Sequence, residues 1–113
     1  MPKSVPAMAL RDSWLDQARQ DFNAEVEYVY NEFGSQAAEK AYRKVLEGVD
    51  NLRHFPGMGR HYEGLAYKGN EVHALVLKQV SIIYCHYDDV LKIVAVWNNY
   101  QDPERLEQTL AER

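Results

Sequence analysis

Residues 72–97 read VHALVLKQVSIIYCHYDDVLKIVAVW, three runs rich in Val, Ile, Leu and Tyr separated by short polar dipeptides. Such side chains fit a pleated, half-buried surface, so Val72–Leu77, Val80–Tyr87 and Leu91–Trp97 are predicted strands. Lys78-Gln79 and Asp88-Asp89 are too short to hold a crossover helix, and antiparallel hairpins are the connection they allow. Upstream, Glu63–Tyr67 offers a further short strand before the turn dipeptide Gly69-Asn70.

The first half of the chain has helical texture. Leu15, Ala18, Phe22, Val26, Val29 and Phe33 recur at spacings of three and four, one face of a helix. Ser13, with Asp16 three positions on, is the predicted N-cap in a capping-box arrangement, and Gly34 is the residue past the last turn. Ser35 is the predicted cap of a second helix with inner face Ala38, Ala41, Val45, Val49 and Leu52, ended by Pro56-Gly57. Helices joined only by Gly34-Ser35 should fold back as an antiparallel hairpin. Ala7–Arg11 is a predicted edge strand and Met1–Pro6 a flexible lead-in. Pro103, Leu106 and Leu110 suggest a short C-terminal helix. The predicted fold class is α+β, one two-layer domain over residues 1–113. It has an N-terminal strand, a helical hairpin packed on a mainly antiparallel three- to four-stranded sheet, and a short C-terminal helix.

Composition bounds the function. With 113 residues and 46% hydrophobic side chains, the chain can build a core without disulfides or metal. No apolar run approaches the roughly 18–20 residues a membrane helix needs, and Met1–Met8 has no apolar segment of signal-peptide type. The one cysteine, Cys85, excludes an internal disulfide and fits a reducing cytoplasm. Net charge is −4, yet residues 40–80 carry seven basic and four acidic side chains. An acidic molecule is a poor match to a strong nucleic-acid binder, whose affinity rests on phosphate neutralisation. The four histidines and Cys85 lack metal-ligand spacing, so neither metal nor cofactor is expected. Cys85 and His86, neighbours in a predicted strand, point to opposite faces and cannot form a dyad.

Three segments carry a family likeness: WLDQARQDFNAEVEYVYNEFG (14–34), LRHFPGMGR (52–60) and IVAVWNNYQDP (93–103). With these in this order the chain resembles the ParE/RelE toxin superfamily, closer to its ParE branch. The resemblance implies a compact toxin held silent by a small cognate antitoxin whose C-terminal segment wraps around it. RelE-like relatives cut messenger RNA on the ribosome; ParE-like relatives block DNA gyrase without catalysing a reaction.

RNA cleavage by 2′-hydroxyl attack needs a base, cations for the phosphorane and an acid for the leaving oxygen. RelE-like enzymes put Lys and Arg on the central strands and on the turn after the last strand. The matching positions here are Ser81 and Asn98-Asn99-Tyr100-Gln101. Ser and Asn donate hydrogen bonds but do not offset developing charge as Arg does. The expectation is therefore a ParE-like toxin that acts by protein binding, neutralised by an antitoxin and aimed at DNA gyrase. Its binding residues are expected to be Arg53, Arg60, Lys78, Ser81, Asn98, Asn99 and Tyr100. The alternative is a ribosome-dependent endoribonuclease in which His54, His61 or His73 and Lys78 take acid–base and phosphate roles. A third reading is a non-toxic interaction module of the same fold. The surplus of tyrosines suits either an antitoxin groove or a homodimer contact.

Overall fold

The computed structural model describes residues 9–113. Its elements are β1 (Arg11–Trp14), α1 (Asp16–Phe33), α2 (Ser35–His54), β2 (Arg60–Tyr67), β3 (Asn70–Val76), β4 (Val80–Tyr87), β5 (Val90–Asn98) and α3 (Pro103–Glu112). A short 3-10 turn, Pro56–Met58, links α2 to β2. β2 to β5 form the expected antiparallel meander. β1 adds to its far edge parallel to β5, and the sheet order is β1-β5-β4-β3-β2.

The central strand explains the layering. Val80, Ile82 and Tyr84 of β4 face the helical hairpin, while Ile83 and Cys85 face α3. Alternation sends successive side chains to opposite faces, so a strand covered on both sides reads as a near-continuous apolar run. β5 needs a correction to that alternation. Ile83 pairs with Ala95 and Tyr84 with Ile93, which leaves Val94 as an extra residue, a β-bulge. The bulge lets Ile93 and Val96 both face the hairpin while Val94 and Ala95 face α3.

The hairpin forms as its periodicity predicts. α1 buries Ala18, Phe22 and Val29; α2 buries Ala38, Val45, Val49 and Leu52. Gly34 between them has φ +93° and ψ 179°, a backbone region that only glycine enters readily. Gly48 is a buried member of the α2 face, and it sets how closely α2 lies on the sheet. A Cβ there would stand 2.9 Å from Ile82 Cδ1 and 3.3 Å from Leu75 Cδ2.

Several boundaries differ from expectation. The lead-in Met1–Pro6, with Ala7 and Met8, lies outside the described residues. The first strand is Arg11–Trp14 rather than Ala7–Arg11, so Ser13 is a strand residue and not a cap. Its hydroxyl accepts from Lys92 Nζ at 3.1 Å across the β1–β5 pair. Leu15 occupies the N-cap position of α1, with no side-chain hydrogen bond. Ser35 is likewise the first helical residue of α2, behind Gly34. β2 begins at Arg60, three residues before the expected Glu63. α3 starts at Pro103 as expected, and the Asp102 carboxylate accepts from the Glu104 N–H at 3.0 Å.

Candidate functional site

An apolar concavity of about 330 Å³ lies between the helical hairpin and the β3–β4 turn. The spacing of Phe22, Val26, Val29 and Phe33 runs the α1 stripe beyond the end of the sheet, and Ala41 and Val45 of α2 supply the facing wall. The stripe outlasts its cover, and Phe33 stays 65% exposed. Lys40 and Lys44 on α2 and Lys78 on the turn rim this apolar trough, with Glu25 as its acidic member. Exposed apolar surface with a polar rim is the usual mark of a docking site. Lys78 was expected from sequence; Lys40 and Lys44 were missed. Their i, i+4 spacing within the basic middle third was the available signal, but it also describes an ordinary solvated helix face.

A smaller pocket of about 200 Å³ lies on the opposite sheet face beside α3, between Tyr62 and Trp97. Ser81 and Asn99 meet here. Ser81 pairs with Trp97 in the β4–β5 register and is only 6% exposed. Its hydroxyl donates to Asn99 Oδ1 at 2.6 Å, and Asn99 Nδ2 donates to the Leu77 carbonyl at 3.0 Å. The Asn99 N–H donates to the Gln79 carbonyl at 2.8 Å. The two side chains are thus a neutral staple joining β4 to the segment after β5. Among the described residues no Lys, Arg or His lines this pocket.

The remaining candidates separate. Asn98 turns to the other side, donating to Glu25 Oε1 at 3.3 Å and accepting from the Tyr100 N–H at 2.8 Å. Tyr100 is 81% exposed. Arg53 is committed to the fold: Nε donates to the Leu10 carbonyl at 2.8 Å, and Nη1 meets Asp50 Oδ1 at 2.8 Å. His54 Nδ1 bonds the Asp50 carbonyl within its own helix, at 2.9 Å. Arg60 pairs with Ala74 and His61 with His73, which puts Arg60 and His61 on opposite faces. His61 and His73 have ring centroids 5.6 Å apart. His86, 5.1 Å from His73, completes a row that the sequence reading did not assemble. Burial first, then His86 and His61, lowers the His73 pKa below 6.5.

These positions bear on the nuclease chemistry. The histidines face the hairpin side, the Ser81–Asn99 pair the α3 side, and Lys78 a trough at the end of the hairpin. A base, an acid and phosphate-binding cations therefore do not converge. Among the described residues no group of three His, Cys, Asp or Glu side chains is placed to hold a metal ion. No described helix is long and apolar enough to cross a membrane. Cys85 is packed in the α3-side core, and burial pushes its thiol up to about 11.

Comparison with known proteins agrees with this arrangement. A chain described as "Chromosomal ParDE TA system from P. aeruginosa" superposes with a TM-score of 0.66 at 20% identity. The match covers 80% of this chain and 96% of that one, a likeness of fold. No curated protein matches in sequence. The family model for the ParE toxin of the type II toxin–antitoxin system, parDE, matches residues 13–103, from the end of β1 to the start of α3. This chain belongs to the ParE toxin family of type II toxin–antitoxin systems.

Proposed function

We propose that this ParE-like toxin acts by binding a protein target, with DNA gyrase the target its family implies, and that it performs no RNA cleavage. The observation that carries this reading is the Ser81–Asn99 staple. At the places where RelE-like relatives put cations, this chain has two neutral side chains hydrogen-bonded to each other. A phosphorane would meet no charge from these two side chains, and charge is what its stabilisation requires.

The toxin–antitoxin family implies an antitoxin partner, and the trough at the hairpin is our candidate for its seat. An amphipathic helix laying its apolar face into a groove is a recurrent recognition mode. Lys40, Lys44 and Lys78 favour a helix with acidic flanks. The proposed antitoxin-binding set is Lys78 with Lys40, Lys44 and Phe33. Arg60 and Tyr100 remain free for the target, whereas Arg53, Ser81, Asn98 and Asn99 serve the fold.

Inducible expression in bacteria tests both halves. Expression alone should arrest growth, and coexpression of the protein encoded beside the toxin should relieve the arrest. Phe33→Asp should leave toxicity intact and abolish the relief. Relief undiminished in a folded Phe33→Asp variant would remove the antitoxin from this trough. Harmless expression of the wild type would favour the non-toxic module.

A further inference from the structure

On the hairpin face of the sheet, at the end where α2 gives way to the Phe55–Arg60 loop, four rings stand together. His61 on β2 pairs with His73 on β3, and His73 pairs with Tyr84 on β4. His86 lies two residues along β4, on the same face as Tyr84. The His73 ring stacks on Tyr84 at 5.5 Å with an interplanar angle of 25°. His61 and His86 flank His73 at 5.6 and 5.1 Å.

Tyr84 joins this row to the loop. Its ring is fully buried, and its hydroxyl donates to the Pro56 carbonyl at 2.7 Å while accepting from the Gly59 N–H at 3.1 Å. The fit is tight, since a Cβ on Gly59 would collide with the Tyr84 hydroxyl. Two backbone groups of the loop thus depend on one phenol, and the loop presents Phe55 and Met58 to solvent.

We propose that the His61–His73–His86 row is an acid-responsive latch on the Phe55–Arg60 loop. With neutral rings, the row packs over Tyr84 and keeps its hydroxyl aimed at Pro56 and Gly59. With protonated rings, like charges stand about 5 Å apart and are relieved when His73 swings away from Tyr84 into water. The groups whose charge acts on His73 are His86 and His61, which oppose its protonation, and Glu71, which favours it. Burial of the ring opposes protonation more than either neighbour does, and both effects are relieved in water, so acid favours the opened row. The loop then loses its anchor, and Phe55 and Met58 change position against any partner. This inference does not rest on the toxin reading.

Hydrogen exchange of the Gly59 amide reports the latch, because its N–H ends on the Tyr84 hydroxyl. Protection, corrected for the intrinsic pH dependence of exchange, should fall between pH 7.5 and 5.5. A screened pair of unit charges at this distance weighs on the order of fourfold in population, which sets the expected size of the fall. The double variant His61→Gln/His86→Gln should keep its protection at pH 5.5. Tyr84→Phe should lack it at both pH values. Equal protection at both pH values in the wild type would overturn the proposal. So would a full acid loss in the double variant, or an undiminished amide in Tyr84→Phe.

Discussion

Ser81 is the residue on which the functional reading turns, and it is also the one buried polar residue in the described core. A buried hydroxyl needs a partner, and Asn99 supplies one across the β4–β5 hairpin. Ser81→Ala should therefore destabilise the protein by about 0.5–1.5 kcal/mol, the net worth of the lost hydrogen bond, since water reaches the exposed Asn99. Chemical denaturation measures this, and antitoxin binding should not change. That these two positions lack charge was legible in the sequence. That they face one another was not, because the pairing depends on the β4–β5 register and on the turn after Asn98. The histidines teach the same lesson. His61, His73 and His86 are scattered along the chain, and only cross-strand register makes them neighbours. Because His73 is harder to protonate folded than unfolded, its contribution is constant well above pH 6.5. Stability is lost as pH falls through that value and levels off below the lowered folded pKa. Urea unfolding at pH 7.5 and 5.5 should show the wild type losing more stability over that interval than His73→Gln.

At the scale of elements, periodicity decided most of the outcome. Leu15 to Phe33 and Ala38 to Leu52 were readable as helix faces because burial of one stripe dictates the spacing. Boundaries were less readable, since Ser13 and Ser35 look like caps but neither side chain bonds a helix N–H. Parallel pairing drew Ser13 into β1, whose outer neighbour could not be inferred from local pattern. Long-range side-chain bonds were also invisible. β1 covers only Val90–Ile93 of β5, and Asp21 and Arg113 serve the edge beyond. Asp21 accepts from the Val96 N–H at 3.1 Å, and Arg113 donates to the Val94 carbonyl at 2.8 Å. The two side chains also form a two-pronged ion pair at 2.7 and 2.9 Å. With side chains only 22% and 12% exposed, this pair is screened less than a surface one. It joins α1, the β5 bulge and the end of α3. Asp21→Ala should cost about 2–3 kcal/mol, since it strands a guanidinium and a backbone donor together. Thermal unfolding checks this, and the loss should depend only weakly on added salt.

The whole molecule places three surfaces apart: the trough at the hairpin, the neutral pocket beside α3, and the imidazole row. The first combines apolar area with an excess of positive charge, three lysines against Glu25. The triple variant Lys40→Glu/Lys44→Glu/Lys78→Glu should weaken antitoxin binding tenfold or more, about 1.4 kcal/mol or above. Calorimetric titration measures it, and wild-type affinity should fall with ionic strength more steeply than that of the variant. The family was legible from three sequence segments, whereas the trough required α1, α2 and the β3–β4 turn to be set in space. The proposed action of this ParE-family chain is binding and not cutting. The most direct measurement adds purified toxin to a DNA gyrase supercoiling reaction and, in parallel, to ribosomes carrying messenger RNA. The expected result is inhibited supercoiling with the message intact; cleaved message, with cleavage lost on His61→Ala or His73→Ala, would contradict action by binding.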